Sequence, residues 1–196
     1  MSEKIDNIVE DLREQLMFLA GAVRHLSDCE AIRQAMYAYA RGVDRADQDL
    51  IASIFHDDAI DDHGNFSGDK TETLAALKRS AAVRETTASF HQLGNILIDL
   101  RGDAADVETY FVAVQRRESG KTFTRIRAGR YLDHFVKRNG DWRILRRKVI
   151  DDWSRLDEVV ATAGEVGPDN HHGTRDHNDP SFAVKGFMDN RKARNT

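Results

Sequence analysis

The amino-acid sequence predicts an α+β protein in which the helices come first and the strands form an antiparallel sheet. Up to about residue 85, apolar residues recur at three- and four-residue steps, the spacing of amphipathic helices. From residue 90 to residue 153 the chain is rich in β-branched and aromatic residues and is divided by turn signals. Helices followed by hairpin-linked strands are typical of this fold class.

The N-terminal part is expected to form two long helices. The first covers residues 3–25. Ser27 and Glu30 have the spacing of a capping box, in which each side chain bonds a free amide of a new helix. A second helix is therefore predicted to begin near Asp28 and to end at Gly42. Its apolar face would carry Ile32, Met36, Tyr39 and Val43.

Two shorter helices are expected before the strands. Asp47 is a suitable N-cap for a helix over residues 47–56. Another helix is predicted over about residues 69–85, after a polar stretch that contains a Gly64-Asn65 turn signal. The buried residues of the first of these helices would be Leu50, Ile51 and Ile54.

Four strands are predicted in the second half of the chain. Asn139-Gly140, between the last two strands, is a strong hairpin signal, because both central positions of the favoured turn need positive φ. Arg101-Gly102-Asp103 marks an earlier turn. The predicted strands cover residues 90–100, 107–117, 123–137 and 142–153.

Composition narrows the classes of protein to consider. The net charge is −4 and the pI is about 6.1, which argues against nucleic acid as a partner, because phosphate contacts need a basic surface. Cys29 is the single cysteine, so no internal disulfide forms. The N-terminus resembles no secretory signal, and no apolar run suggests a membrane span. We expect a cytoplasmic protein without a membrane partner.

The chain divides into three expected parts. Residues 1–25 are an N-terminal helical extension, residues 26–155 a single domain, and residues 156–196 a polar C-terminal extension. The last part lacks hydrophobic periodicity and is punctuated by glycine and proline. It is expected to be either loosely ordered or wrapped over a neighbouring subunit.

Four side chains are candidates for chemistry, and each also has an ordinary structural interpretation. Arg147 lies between Leu145 and Val149 on one predicted strand face, so it needs either a ligand or a carboxylate, such as Asp133 or Asp151. The other candidates and their structural alternatives are His91 (packing within a strand), Asp44 (capping of a turn) and Tyr39 (helix core).

Two further clusters have structural explanations. His56, Asp57, Asp58, Asp61, Asp62 and His63 contain metal-ligand residue types, but without a standard ligand spacing they fit a charged edge strand, and no metal is expected. Arginines 125, 127, 130, 143, 146 and 147 are interleaved with apolar residues. They are expected to form cross-strand ion pairs with acids such as Glu108, Asp133 and Asp151.

The order of four short motifs resembles the SnoaL-like class of the nuclear-transport-factor-2-like superfamily. The resemblance spans about residues 25–153, and order and spacing make it specific. The motifs are the run from Gly42 to Ala59, Phe90-His91-Gln92-Leu93-Gly94-Asn95, Gly129-Arg130-Tyr131-Leu132-Asp133, and Gly140-Asp141-Trp142-Arg143-Ile144.

The resemblance implies a cone-shaped half-barrel, a strongly curved antiparallel sheet with the N-terminal helices packed on its concave side. Dehydratases and a dehydrochlorinase of this class use a histidine–aspartate dyad, which matches His91 and Asp44 here. A pocket arginine matches Arg147, and a tyrosine of the bile-acid 7α-dehydratase matches Tyr39. The dehydrochlorinase has a cysteine two residues before the histidine, where this chain has Ser89, so halide elimination is less attractive.

These matches imply a cofactor-free lyase, foremost a dehydratase, acting on a bulky hydrophobic substrate of aromatic, steroid or polyketide type. An isomerase or an aldehyde-releasing carbon–carbon lyase could use the same dyad. The remaining alternative is a non-catalytic role, as a ligand-binding protein or as the small subunit of a ring-hydroxylating dioxygenase. The class also implies a homodimer or homotrimer.

Overall fold

A computed structural model describes residues 2–83, 85–159, 167 and 169–184, and shows helices packed against one six-stranded sheet. The elements in chain order are α1 (Ser2–Arg45), α2 (Gln48–Ile54), β1 (Phe55–Asp62), β2 (Ser67–Asp69), α3 (Lys70–Val83), β3 (Thr86–Arg101), β4 (Ala104–Glu118), β5 (Thr122–Arg138), β6 (Asp141–Glu158) and the short 3₁₀ helix Pro180–Ala183.

The sheet has the strand order β2-β1-β6-β5-β4-β3 and is curved but not closed. The α+β class and the cone-like shape are confirmed. The expectation of a wholly antiparallel sheet is wrong, because β1 runs parallel to β6. The connection from β1 to β6 passes through α3 and four strands, so no hairpin forces these two strands to run in opposite directions.

The four predicted strands and the final hairpin are confirmed. Each observed strand is longer than its predicted core and extends to the adjoining turn. Asn139 and Gly140 have φ values of 53° and 86°, as the turn between β5 and β6 requires. The three long meander pairs β3–β4, β4–β5 and β5–β6 form the wall against which the helices pack.

The predicted break between the first two helices is wrong, because α1 is continuous from residue 2 to residue 45. Asp28, near the expected start of the second helix, is bound by tertiary contacts instead. Its Oδ1 accepts hydrogen bonds from Lys137 Nζ and Trp142 Nε1, both at 2.8 Å. Ser27 and Glu30 therefore lie within a helix whose own backbone bonds satisfy their amides.

Helix α1 also runs past Gly42, where its end was expected. Ala46 ends it with a φ of 54°, and Asp47 N then bonds to Gly42 O at 2.9 Å. Gly42 serves a packing role, since a Cβ there would lie 2.7 Å from Cγ1 of Ile51 on α2. The two shorter helices are confirmed as α2 and α3. The Asp47 carboxylate caps α2 by accepting from Leu50 N at 2.9 Å.

The two halves of α1 have different surroundings. The second half packs on the concave side of the sheet, where Ile32, Met36 and Tyr39 are buried in the core. The first half is exposed along its described length. None of the helices in the described part of the chain has an apolar stretch long enough to cross a bilayer.

Two irregularities in β6 change which side chains face the core. The register with β5 shifts between His134 and Phe135 and again between Ala128 and Gly129. Trp142 and Ile144 are consequently buried, followed by Arg147 and Val149. The expected face, which joined Leu145 with Arg147 and placed Ile144 opposite, is wrong. An extra residue in one strand reverses the alternation beyond it.

Candidate functional site

A large cavity lies between the concave side of the sheet and the helices, with a volume of about 1270 Å³. Helix α1 contributes Tyr39 and Val43 to its wall, and the sheet contributes His91, Tyr131 and Val149. Much of α3 also lines it. The cavity exceeds the roughly 300–1,000 Å³ of common small-molecule sites, so it can hold a bulky ligand.

His91 and Asp44 are hydrogen-bonded to each other at this cavity. The His91 Nδ1 atom lies 2.6 Å from Asp44 Oδ1. The backbone amide of His91 donates to Asp44 Oδ2 at 2.8 Å, and Ser89 Oγ donates to Asp44 Oδ1 at 2.9 Å. Three donors from β3 therefore hold one carboxylate, and that carboxylate orients the imidazole ring.

The position of Asp44 explains why it needs these donors. It lies in the last turn of α1, where the helix dipole disfavours negative charge. Burial by itself would raise the pKa of Asp44, but hydrogen bonds from His91 and Ser89 outweigh it, and the pKa lies below its ordinary value. Asp44 is therefore a carboxylate at neutral pH and accepts the Nδ1–H of His91.

This tautomer leaves His91 Nε2 as the nitrogen that can accept a proton. Among the described residues, Nε2 has no hydrogen-bond partner, while the ring lines the cavity and only 6% of the side chain is exposed. A water-poor imidazole with a carboxylate on its other nitrogen is suited to general acid–base chemistry.

Two tyrosines form the floor of the cavity near this pair. Tyr39 packs edge-on against Tyr131 at 5.6 Å, and Tyr131 stacks on Phe111 at 4.5 Å. Burial raises the pKa of Tyr39 to about 12, despite the opposing attraction of Arg147. Both phenols are neutral at physiological pH and can donate a hydrogen bond to a ligand oxygen.

Arg147 lies behind these tyrosines and is fully buried. Its guanidinium stacks over the Tyr39 ring at 4.0 Å and the Tyr131 ring at 4.4 Å. Nε and Nη2 form a two-pronged ion pair with Asp133, at 2.7 and 2.8 Å. Burial by itself would lower the pKa of Arg147, but Asp133 raises it above its ordinary value, so the guanidinium stays charged.

The sequence-predicted site residues therefore divide into two groups. Asp44, His91 and Tyr39 come together at the cavity. Arg147 supports the wall from behind, and its carboxylate partner is Asp133, one of the two partners considered. Arg147 is not among the residues that line the cavity, and its side chain has no exposed surface.

The cluster of metal-ligand residue types on β1 is divided among separate partners. His56 Nε2 lies 2.9 Å from Val136 O, Asp57 pairs with Lys70, Asp58 with Arg138, and Asp61 with His63. Among the described residues, no group of three or more His, Cys, Asp or Glu side chains could hold a metal ion. The strand is also not an edge, since β2 and β6 flank it.

The expected cross-strand ion pairs are present. Arg130 binds Glu108 at 2.9 Å and Asp152 at 3.1 Å, and Arg127 pairs with Asp151. Tyr131 and Arg175 are among the cavity residues that the sequence did not single out. Alternation along β5 places Tyr131 on the same face as Asp133, and this pattern was a signal that Tyr131 faces inward. Arg175 lies in the aperiodic C-terminal part, where no pattern predicts a position.

Comparison with known proteins bears on the fold. Residues 24–148 match the SnoaL-like domain. Many solved structures share this fold, and three of them illustrate the similarity. A candidate scytalone dehydratase from Novosphingobium aromaticivorans is 24% identical, with a TM-score of 0.62 over 70% of this chain and 92% of that one. A hexachlorocyclohexane dehydrochlorinase of type 2 is 17% identical, with a TM-score of 0.64 over 76% and 99%.

The third is a candidate aromatic ring hydroxylase from Novosphingobium aromaticivorans, 22% identical, with a TM-score of 0.59 over 69% of this chain and 95% of that one. Identities this low show a shared fold. A comparison with curated protein sequences finds no significant match. The domain match covers well over half of the chain, and we conclude that this protein belongs to the SnoaL-like domain family.

Proposed function

We propose that this protein is a cofactor-independent dehydratase that uses His91 and Asp44 as an acid–base dyad on a bulky hydrophobic substrate. The observation that carries the proposal is the 2.6 Å bond between His91 Nδ1 and Asp44 Oδ1 at the edge of a large cavity. Similarity in fold to a candidate dehydratase and to a dehydrochlorinase is consistent with lyase chemistry.

In the proposed reaction His91 Nε2 removes a proton from a substrate carbon. The electron pair of that carbon–hydrogen bond forms a double bond to the neighbouring carbon, whose hydroxyl group leaves. The imidazolium returns its proton to that hydroxyl, so water departs and His91 is again neutral. Asp44 stabilises the imidazolium while it carries the charge and keeps Nδ1 protonated throughout.

Tyr39 is proposed to donate a hydrogen bond to a carbonyl or hydroxyl oxygen of the substrate. With a pKa raised to about 12 it keeps its proton at neutral pH. Arg147 is assigned a positioning role, because its guanidinium lies 4.0 Å from the centre of the Tyr39 ring and is held by Asp133. Its positive charge favours negative charge that develops on a ligand oxygen nearby.

The substrate class follows from the cavity. Its volume suits a multi-ring or long-chain compound, and Ile51, Leu77 and Val149 supply apolar wall. An aromatic, steroid or polyketide alcohol with an acidic carbon–hydrogen bond next to the hydroxyl-bearing carbon fits this description. The same dyad could instead shift a double bond or release an aldehyde, depending on the substrate.

Replacing the base tests the proposal. A screen of hydroxylated aromatics and steroids for loss of water supplies the assay, monitored by mass spectrometry. His91→Ala should reduce kcat by about 10²–10⁴-fold, the usual contribution of a positioned acid–base group. His134→Ala is the matched control, because His134 makes a similar 2.7 Å bond to Asp106 on the outer surface. It should keep full activity.

Full turnover by the H91A variant would contradict the dehydratase mechanism. In that case a ligand-binding or structural-subunit role would remain for the cavity. Analysis of the products also separates the related reactions, since dehydration lowers the substrate mass by one water and isomerisation leaves it unchanged.

The proposed assembly is a homodimer or homotrimer built on the first half of α1. Large apolar side chains are exposed there in a seven-residue repeat, with Ile5, Leu12, Leu19 and Leu26 in one set and Val9, Leu16 and Val23 in the other. Such a repeat is the pattern by which helices pair with each other. Exposed apolar rows of this length mark interaction surfaces.

A further inference from the structure

The C-terminal segment of residues 169–184 returns to the end of α1 and packs beside the cavity. Arg41 Nη1 donates to Ser181 Oγ at 3.0 Å, and the Arg41 guanidinium lies 5.0 Å from the centre of the Phe182 ring. Arg45 forms an ion pair with Asp179 at 3.3 Å. The segment is therefore held on its own chain by contacts from the short 3₁₀ helix and from its N-cap residue, Asp179.

Asp179 also organises this segment internally. It accepts from the Thr174 amide at 2.9 Å and from the Ser181 amide at 3.0 Å, and Ser181 Oγ bonds to it as well. This buried carboxylate joins the loop before it to the helix after it. The loop between residues 174 and 179 consequently has a defined path, and Arg175 projects from that loop.

Arg175 is thereby placed in the wall of the same cavity as His91 and Tyr39. Its Nη2 donates to the backbone oxygen of Val43 at 3.0 Å, next to Asp44 in the chain. Its Nε is shielded from solvent and has no hydrogen-bond partner among the described residues. A buried donor without an acceptor is costly, so contacts within the described chain do not fully satisfy this guanidinium.

The charges around Arg175 leave it available to a ligand. Asp44 is the acidic group that interacts with it, but the Asp44 oxygens already accept from His91 and Ser89. Burial lowers the pKa of Arg175, and the attraction of Asp44 partly opposes the shift. The guanidinium remains charged, since arginine does not lose its proton in proteins.

The described lining of the cavity, Arg175 included, is more basic than acidic. Five cationic residues line it, against two acidic ones, and one of those acids, Asp151, is paired with Arg127. The cationic residues are Lys78, Arg79, Arg125, Arg127 and Arg175, and the acidic ones are Glu85 and Asp151. Excess positive charge in a concave site attracts anionic ligands.

We propose that Arg175 binds a carboxylate of the substrate, so that the natural substrate is an apolar ring compound carrying an acid group. This rests on the proposed function of the cavity and narrows its substrate class. A guanidinium offers its N–H donors along planar edges that match the oxygens of a carboxylate. A substrate held there would have its apolar body in the cavity that His91 also lines.

Binding of two non-reactive probes tests this without relying on turnover. Naphthoate and naphthalenemethanol have the same ring system, but only the first carries a carboxylate. Isothermal titration of the full chain should show tighter binding of naphthoate. Arg175→Met should weaken naphthoate binding by at least about tenfold, the loss expected for a charge-assisted hydrogen bond, and leave naphthalenemethanol binding unchanged.

Two controls make the result specific. Arg175→Lys keeps the charge but loses the planar edge, so its naphthoate affinity should lie between those of the wild type and R175M, and it serves if R175M does not fold. Arg138→Met removes an arginine whose partner Asp58 is exposed, and should bind both probes like the wild type.

Two results would overturn the proposal. One is a wild type that binds the alcohol as tightly as the acid, and the other is an R175M variant that keeps the preference for the acid. His91→Ala should still bind naphthoate with that preference. An active H91A variant together with an R175M variant that no longer prefers the acid would refute the dehydratase mechanism and leave the recognition of an acid standing.

Discussion

Arg147 is a buried charge that packs against two side chains of the cavity wall. Its guanidinium packs against the rings of Tyr39 and Tyr131 and is bonded on one edge to Asp133. Both partners are inaccessible to solvent, so each depends on the other for its charge to be tolerated. The pair fixes the position of Tyr39 and Tyr131, which face the cavity.

Breaking this pair should destabilise the protein strongly. Asp133→Ala leaves Arg147 as an uncompensated buried cation and should lower the free energy of unfolding by about 3–5 kcal/mol. The double variant D133A/R147M removes both charges and should recover part of that loss. Urea unfolding followed by tryptophan fluorescence measures both. A D133A variant within about 1 kcal/mol of the wild type would mean that other groups stabilise Arg147.

Strand β6 is shaped by its two register shifts. The β6 backbone lies close to β5 at the shift between Ala128 and Gly129, and the shift between His134 and Phe135 turns Arg147 and Val149 towards the core. Gly129 is required at the shift next to Ala128, because a Cβ there would overlap the carbonyl oxygen of Ile150 and lie 3.1 Å from Phe111 Cζ. A strand without these irregularities would turn different side chains inward.

A methyl group at Gly129 should therefore destabilise the sheet. Gly129→Ala is expected to lower the free energy of unfolding by about 1–3 kcal/mol or more, because backbone must move to make room. Gly94→Ala on β3 is the matched control, since a Cβ there meets its nearest atom at an ordinary 3.5 Å. Thermal unfolding compares the two. Equal stability of both variants would contradict the close approach at Gly129.

At the level of the whole molecule, the two halves of α1 have different surroundings. Its second half supplies Tyr39 and Asp44 to the cavity, and its first half extends from the domain with an apolar row in solvent. Association through the first half would join neighbouring copies by the same helix that carries the proposed acid–base partner. The C-terminal segment packs on the second half, near the cavity.

Charged residues in the apolar row should disrupt the assembly. The double variant L16E/L19E replaces two side chains that are each more than half exposed on α1. It is expected to convert a dimer or trimer into the 22.2 kDa monomer, because carboxylates at a helix pairing surface repel each other. Light scattering after size-exclusion chromatography measures the mass.

The variant E10Q/E14Q alters the opposite, polar side of the same helix and should leave that mass unchanged. A wild type that is already monomeric, or an L16E/L19E variant with the wild-type mass, would show that α1 is not the contact between copies.

Sequence patterns were sufficient to predict most of the helices and strands, because each of these elements depends on the chemistry of residues that are close in the chain. Asp47 caps α2 and Asn139-Gly140 closes the β5–β6 hairpin, as their neighbours in sequence require. The capping-box prediction at Ser27 was wrong for a different reason. Asp28 is bound by Lys137 and Trp142, more than one hundred residues away, and a local pattern contains nothing about such partners.

Some features of the candidate site were likewise predicted from the sequence, and others were not. The resemblance of short motifs predicted that His91, Asp44 and Tyr39 belong to one site, since the order of these motifs along the chain reflects a shared fold. The parallel pairing of β1 with β6, the burial of Arg147 against Asp133 and the entry of Arg175 into the cavity were decided by tertiary packing alone. Each of these depends on contacts between distant segments, and the energy of such contacts exists only once the chain has folded.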